Sequence, residues 1–356
     1  MKRFIKKSIL GVIFIILFAV GLAASLLYAR YDNQPLINHL LTQQANLNFH
    51  WRCTQTRNQP LTPNKSVHWH QYRCTGQFPS FYLFHLSGKI KPLTINIIDS
   101  DLSDQKLSLV PVLGETQPHN APFTEQPSAI GKTHPQFIAG INGGYFFTNR
   151  LHHPDQNCSG RHYPEETTQN IGDGLLIVKQ HRYSENCYKK IFPTKSRPAI
   201  VENKQHQWSI REIPAYTTPP NIINALGAGP DLIRTRHHKT SIAMQWGGVL
   251  STFEFSANVS VILAKDAKQH QHVVFLEVNG YDKRYGMNSV EMANFIMNVL
   301  PAKLHVNITS AMSMDQGHSS TLYIRDAKPH VVSISALHHG ERPVYDALFI
   351  RSRQQA

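Results

Sequence analysis

From residue 81 onward, short runs of apolar and β-branched residues alternate with polar, proline-bearing or glycine-bearing breaks. The runs at 81–84, 93–98, 107–112, 137–141, 174–178, 199–201, 259–263, 273–278, 322–324, 331–334 and 347–350 have the length and composition of strands. Only one stretch carries a strong helical period. Val290, Ala293, Ile296, Met297 and Leu300 recur at helical spacing, and Asn288 stands before them as an N-cap. Glu291, three residues on, completes the spacing of a capping box, and Pro301 is expected to stop the run. Residues 111–135 carry five prolines and read as loop, with a short helix near 126–132. Many strands and few helices predict an α+β domain around a mixed β-sheet, with no internal repeat.

The first thirty residues follow another rule. Lys2, Arg3, Lys6 and Lys7 precede an uncharged apolar stretch from Ser8 to Ala29. That length suffices for one helix across a hydrocarbon core of about 30 Å. Basic residues on its near side predict a cytoplasmic tip and an exported body. A cleaved signal peptide is the rival reading, because Ala23, Ala24 and Ala29 are small residues near a plausible cleavage point. The apolar run exceeds the usual signal core, which favours an uncleaved transmembrane anchor. The expected organisation is therefore a tip and signal anchor at 1–30, a membrane-proximal appendage at 31–89, and a domain at 90–352. The body lies on the periplasmic or extracellular side.

An exported chain with four cysteines is expected to form disulfides. Four cysteines permit three connectivities, and pairing of sequence neighbours is preferred, because Cys53 and Cys74, like Cys158 and Cys187, bracket segments poor in core residues. None has the C-x-x-C spacing of a zinc site. The formal net charge is +13, but five of the positive residues lie in or beside the anchor, and the rest form no block. This argues against nucleic acid and favours an anionic surface or substrate, such as a phosphorylated or acidic glycan. Among 21 histidines, only His68/His70 and His270/His272 have the i, i+2 spacing that puts two rings on one strand face. Neither pair has an obvious third ligand, so no metal site or cofactor is expected, and the metal requirement stays open.

The chemistry concentrates in two turns. Met314-Asp315-Gln316-Gly317-His318-Ser319-Ser320-Thr321-Leu322 places a carboxylate, hydroxyls and a glycine at a strand edge, suited to an oxygen-rich ligand. Far upstream, an apolar strand runs directly into Asn142-Gly143-Gly144-Tyr145-Phe146. Between them come Val278-Asn279-Gly280 at a strand end and Gly286-Met287-Asn288 opening the helix. Arg342-Pro343-Val344-Tyr345-Asp346-Ala347-Leu348 closes the series. In this order the landmarks resemble the phosphodiester glycosidase family, over about residues 90–352.

That resemblance implies hydrolysis of a phosphodiester attached to the anomeric carbon of a sugar. It implies Asp315 as the acid/base or substrate-orienting carboxylate, and Gly317, Ser319 and Ser320 as holders of phosphate or sugar oxygens. Asn142, Gly143 and Gly144 would let backbone approach the ligand closely, with Tyr145 flanking a sugar ring and Asn279 in the substrate cleft. The chain departs from the family pattern at three places. Gln316 and His318 stand where the family has glycines, which would strain a turn needing φ > 0 there. Asn279-Gly280-Tyr281 replaces Asp-Gly-Arg, and no Arg occurs around 257–260. His318 is a candidate replacement acid/base, because an imidazole titrates near working pH. The alternatives are a catalytically inactive glycan-binding module and an envelope assembly factor. Other features carry less: the Gly227–Leu232 segment and Asp173 read as turns, and Trp208 and Trp246 as packing residues or sugar platforms.

Overall fold

The computed structural model describes residues 50–77, 81–82, 85–86, 92–114, 124–147, 171–172, 174–184, 196–214, 220–236, 239–245, 258–280, 286–325, 331–335 and 341–353. The expected anchor, Cys158, Cys187, Asp173 and Trp246 lie outside this set. Among the described residues, no helix is long and apolar enough to cross a membrane.

The expected strands form, and they assemble into one sheet of eight strands, two of five, and two small two-stranded ribbons. The domain is mainly β with few helices. The expected mixed sheet is corrected in one respect: every strand pairing among the described residues is antiparallel. The cause lies in the helical connection between Gln271–Asn279 and Asn307–Ser313. Such a crossover would ordinarily build a parallel neighbour. Here it passes over one position, so Asn258–Lys265 lies between the two strands and pairs antiparallel with both.

Both faces of the large sheet are covered, which explains why its central strands read as mostly apolar runs rather than as alternating ones. On one face Val274, Leu276, Val278, Ile95, Ile97 and Ile262 pack under Val290, Ala293, Phe295, Ile296 and Leu300 of the helical crossover. On the other, Val273, Phe275, Val259 and Val261 meet Ile141, Leu322, Leu348 and Ile350 from a five-stranded sheet, with Ile200 and Leu226 from the second. The far side of the first five-stranded sheet, Phe137, Tyr323 and Phe349, is closed by Ile130 of the helix Pro127–Thr133.

The main helix, Ser289–Asn298, begins as its sequence predicts. The Asn288 Oδ1 accepts from the Glu291 N–H at 2.9 Å, and the Asn288 N–H donates to Glu291 Oε2 at 3.0 Å. Pro301 does not end the helical path. It falls in the first turn of a second helix, Leu300–Leu304, where its missing N–H costs no hydrogen bond. Residues 50–77 lack apolar period yet form two long strands, His50–Pro60 and Val67–Gln77. Val67–Cys74 pairs with the strand Leu93–Asp101, so the hairpin extends the large sheet. Its outer strand is largely exposed, which is why no alternation announces it. Cys53 lies directly opposite Cys74, and the two form a disulfide.

Candidate active site

Four strand ends meet at one edge of the sandwich. Phe137–Asn142 and Asn307–Ser313 finish there, while Thr321–Arg325 and Asp346–Ser352 begin there. The turn after Asn142 stitches them together. Gly143 N–H donates to the Asp346 carbonyl at 2.8 Å, and Asp315 N–H donates to the Gly143 carbonyl at 2.9 Å. Asn142 is fully buried and uses both ends of its amide: Nδ2 donates to the Asp315 carbonyl at 2.8 Å, and Oδ1 accepts from Thr321 N–H at 3.0 Å. A buried amide satisfied on both sides fixes this turn and orients the Asp315 loop.

Asp346 is the residue that sequence reasoning passed over. Its carboxylate lies against Gly143, where a Cβ would collide with it, and accepts from the Gly144 N–H at 2.7 Å. Gly144 has no room for a side chain either, because the Gly227 carbonyl fills the place of its Cβ. Burial pushes the Asp346 carboxyl up to about 7; the Gly144 hydrogen bond opposes the shift, and the charge of Asp315 adds to it. Two carboxylates of unequal exposure thus flank one turn, Asp315 half-buried and Asp346 buried.

The Asp315 loop accommodates its two unusual residues without strain. Gln316 has φ −100°, and the positive φ, +65°, falls on Gly317. Gln316 folds back so that Nε2 donates to Ser313 Oγ at 2.9 Å, and that hydroxyl donates to Asn258 Oδ1 at 2.9 Å. His318 lies exposed in the 3₁₀ turn Gly317–Ser319. Ser319 and Ser320 are buried behind it. Arg342, also absent from the sequence candidates, donates from Nη1 to Ser319 Oγ at 3.2 Å, its guanidinium 4.8 Å from the Phe146 ring centroid. Both missed residues belong to the Arg342–Leu348 segment, which the sequence offers only as a landmark. Chain order does not reveal that it returns to the Asn142 turn.

The structure therefore brings Asn142, Gly143, Gly144, Asp315, Gly317, Ser319 and Ser320 into one locality. Tyr145 borders it and donates its hydroxyl to the Gly229 carbonyl at 3.0 Å. Among the described residues, no hydrogen bond joins Asn279 to this turn. Asn279 is buried at the end of Gln271–Asn279, opposite Thr94, and its Oδ1 has no partner among the described residues. Two residues earlier and on the same strand face, Glu277 accepts from Asn96 Nδ2 at 2.7 Å.

The remaining candidates fall elsewhere. Trp208 is buried in the core. His68 and His70 stack with ring centroids 5.7 Å apart. His272 lies 2.9 Å from Asp99; burial pulls its pKa down, but Asp99, Asp101 and Asp266 raise it on balance. His68 and His272, with Asp99, Asp101 and Asp266, border a separate cavity of about 530 Å³, and His70 does not line it. Among the described residues, no group of three or more His, Cys, Asp or Glu is placed to hold a metal ion.

Comparison with known proteins bears on the family and the fold. The sequence profile of the family described as phosphodiester glycosidase matches residues 135–351. The fold is similar to the catalytic domain of zebrafish N-acetylglucosamine-1-phosphodiester alpha-N-acetylglucosaminidase, auto-inhibited by its pro-peptide. That match has a TM-score of 0.53 and 14% identity over 85% of this chain and 88% of that one. A hypothetical protein from Synechocystis aligns with a TM-score of 0.49 and 11% identity, over 86% and 68% of the two chains. At such identities the likeness concerns the fold. No curated protein sequence matches the chain.

Proposed function

Because the chain belongs to the phosphodiester glycosidase family, we propose that it hydrolyses a sugar 1-phosphodiester in an envelope glycan or related metabolite. The observation that carries this reading is the meeting of Asp315, Ser319 and Arg342 around the Asn142–Gly144 turn. A phosphodiester carries one negative charge at neutral pH, and a guanidinium with two forked donors matches its oxygens. Arg342 and Ser319 hold the phosphate. Asp315 orients the substrate and moves the proton that the departing oxygen or the attacking water requires. Water supplies the hydroxyl, and the products are a free sugar and a phosphomonoester.

The other assignments follow from position. His318, exposed beside Asp315, is available to an incoming substrate as a second proton carrier. The Oδ1 of Asn279, without a partner among the described residues, is offered as an acceptor for a sugar hydroxyl. Gly317, Ser320 and Tyr145 shape the walls. The Cys53–Cys74 disulfide suits an oxidising compartment, in keeping with an exported body held by an anchor at 1–30.

The test uses the full chain and a panel of sugar 1-phosphodiesters, nucleotide sugars included. Release of sugar and phosphomonoester is measured for wild type, Asp315→Asn and Arg342→Gln, with folding verified in each. Hydrolysis is expected in wild type and reduced at least a hundredfold in Asp315→Asn. Arg342→Gln is expected chiefly to raise KM, by about tenfold to a hundredfold, as for a lost charge-assisted pair. Glycan binding without turnover in all three proteins would establish the binding module instead.

A further inference from the structure

Asp346 is a buried ionisable group at the candidate site to which the proposed reaction gives no role. It lies across the Asn142–Gly144 turn from the Asp315 loop, with Gly143 hydrogen-bonded to both. Gly143 gives its N–H to the Asp346 carbonyl and its own carbonyl to the Asp315 N–H. Gly144 gives its N–H to the Asp346 side chain. The missing side chain at Gly143 lets that carboxylate press against the turn. No cation is hydrogen-bonded or ion-paired to Asp346 among the described residues: Arg342, four positions earlier, is engaged with Ser319 and the Phe146 ring, and His318 points from the exposed 3₁₀ turn.

We propose that Asp346 is a positioning residue that acts through Asp315, the two carboxylates sharing one proton across the Asn142–Gly144 turn, with Asp346 the member that holds it. This rests on the reading of Asp315 as the working carboxylate. Burial disfavours charge on Asp346, and the charge of half-buried Asp315 across the turn disfavours it further, so one proton between them, held by Asp346, is the stable arrangement. While Asp346 is protonated, the corner carries a single negative charge beside the Arg342 guanidinium, and an anionic phosphodiester can approach. When that proton leaves, the corner gains a second negative charge facing the substrate. The elevated position of Asp346, about 7, is consistent with this division.

The sign of the stability effect is fixed by linkage. Asp346 binds its proton more tightly in the folded chain than at its ordinary value of 3.8. Its contribution is therefore complete below pH 3.8 and is lost as pH rises toward and through about 7. Between pH 5 and pH 8 the folding equilibrium constant should fall by about a hundredfold from this group alone.

The experiment measures denaturant unfolding of the full chain at pH 5 and pH 8 for wild type, Asp346→Asn and Asp315→Asn. Asp346→Asn keeps an oxygen for the Gly144 N–H and cannot ionise. The expected result is that Asp346→Asn abolishes most of the pH-dependent loss and Asp315→Asn, by removing the neighbouring charge, diminishes it. Parallel pH dependences in wild type and Asp346→Asn would overturn the proposal. So would a loss in Asp315→Asn as large as that of wild type.

The same proteins are then assayed for KM against pH with the best diester, whose charge stays constant over this range. In wild type KM should rise about tenfold per unit above pH 7, and in Asp346→Asn it should stay flat. A purely structural Asp346 would leave the KM of wild type and Asp346→Asn differing by the same factor at every pH, and that result sinks the proposal. The two readouts separate two failures. Coupled unfolding without any hydrolysis refutes the enzymatic reading and leaves the proton-sharing pair standing. Hydrolysis with parallel unfolding profiles refutes the pair alone.

Discussion

Two glycines on either side of the candidate site are there for different physical reasons, and substitution should separate them. A methyl group at Gly143 would occupy the position of the Asp346 carboxylate. Gly143→Ala must therefore displace a buried group in a packed corner, at a cost of about 1–3 kcal/mol, and should lower any hydrolysis at least tenfold. Gly317 has open space around its Cα but a φ of +65°. Gly317→Ala meets only the left-handed backbone penalty, about 1–2 kcal/mol, and should perturb the loop locally. Urea denaturation together with the diester assay would check both; equal losses of activity would contradict the distinction. At this scale the sequence was informative wherever a residue's role shows in its immediate neighbours. Asp315 and Asn142 stand in turns rich in glycine and serine, and the structure brings those turns together. Asp346 and Arg342 do not stand out, because the first looks like an ordinary residue at the start of a strand and the second like one in the loop before it. Their placement comes from register, Asn142 opposite Ala347, which only the folded sheet sets.

The helix Ser289–Asn298 is the element most completely readable from local chemistry. Its capping box closes within four residues, and its apolar face packs on the large sheet. Asn288 is fully buried, so no water can replace its side-chain oxygen. Asn288→Ala should therefore cost about 1–2 kcal/mol, the upper part of the usual range for a cap. A fall in the denaturation midpoint with an unchanged slope would confirm it, and no change in stability would contradict it. The strands behave differently. Residues 273–278 and 347–350 were legible because burial on both faces leaves apolar side chains at every position but Glu277. His50–Pro60 was not, because an edge strand with one wet face and several polar positions carries little pattern. Strand direction was not legible either. It depends on where the helical crossover sets down its next strand, which is a property of the assembled sheet.

For the whole molecule, the Cys53–Cys74 disulfide is the feature whose effect can be isolated from the candidate chemistry. It joins directly opposed residues of the outermost hairpin of the eight-stranded sheet. Three strands separate Val67–Gln77 from Asn307–Ser313, the strand leading to Asp315. At strand spacings of about 4.8 Å the two lie about 19 Å apart. The cross-link closes 21 residues, and limiting that loop in the unfolded chain stabilises the fold by about 3 kcal/mol in the chain-entropy treatment. The double variant Cys53→Ser/Cys74→Ser should thus unfold at lower denaturant. Its KM and kcat for any diester turned over should match wild type under conditions where both are folded. The hairpin retains its pairing to Leu93–Asp101 through Val67–Cys74, so the sheet keeps a covered neighbour even without the bond. A changed KM in the folded double variant would mean that the hairpin reaches the substrate, and the cleft would then have to extend along the sheet edge toward Asn96 and Glu277.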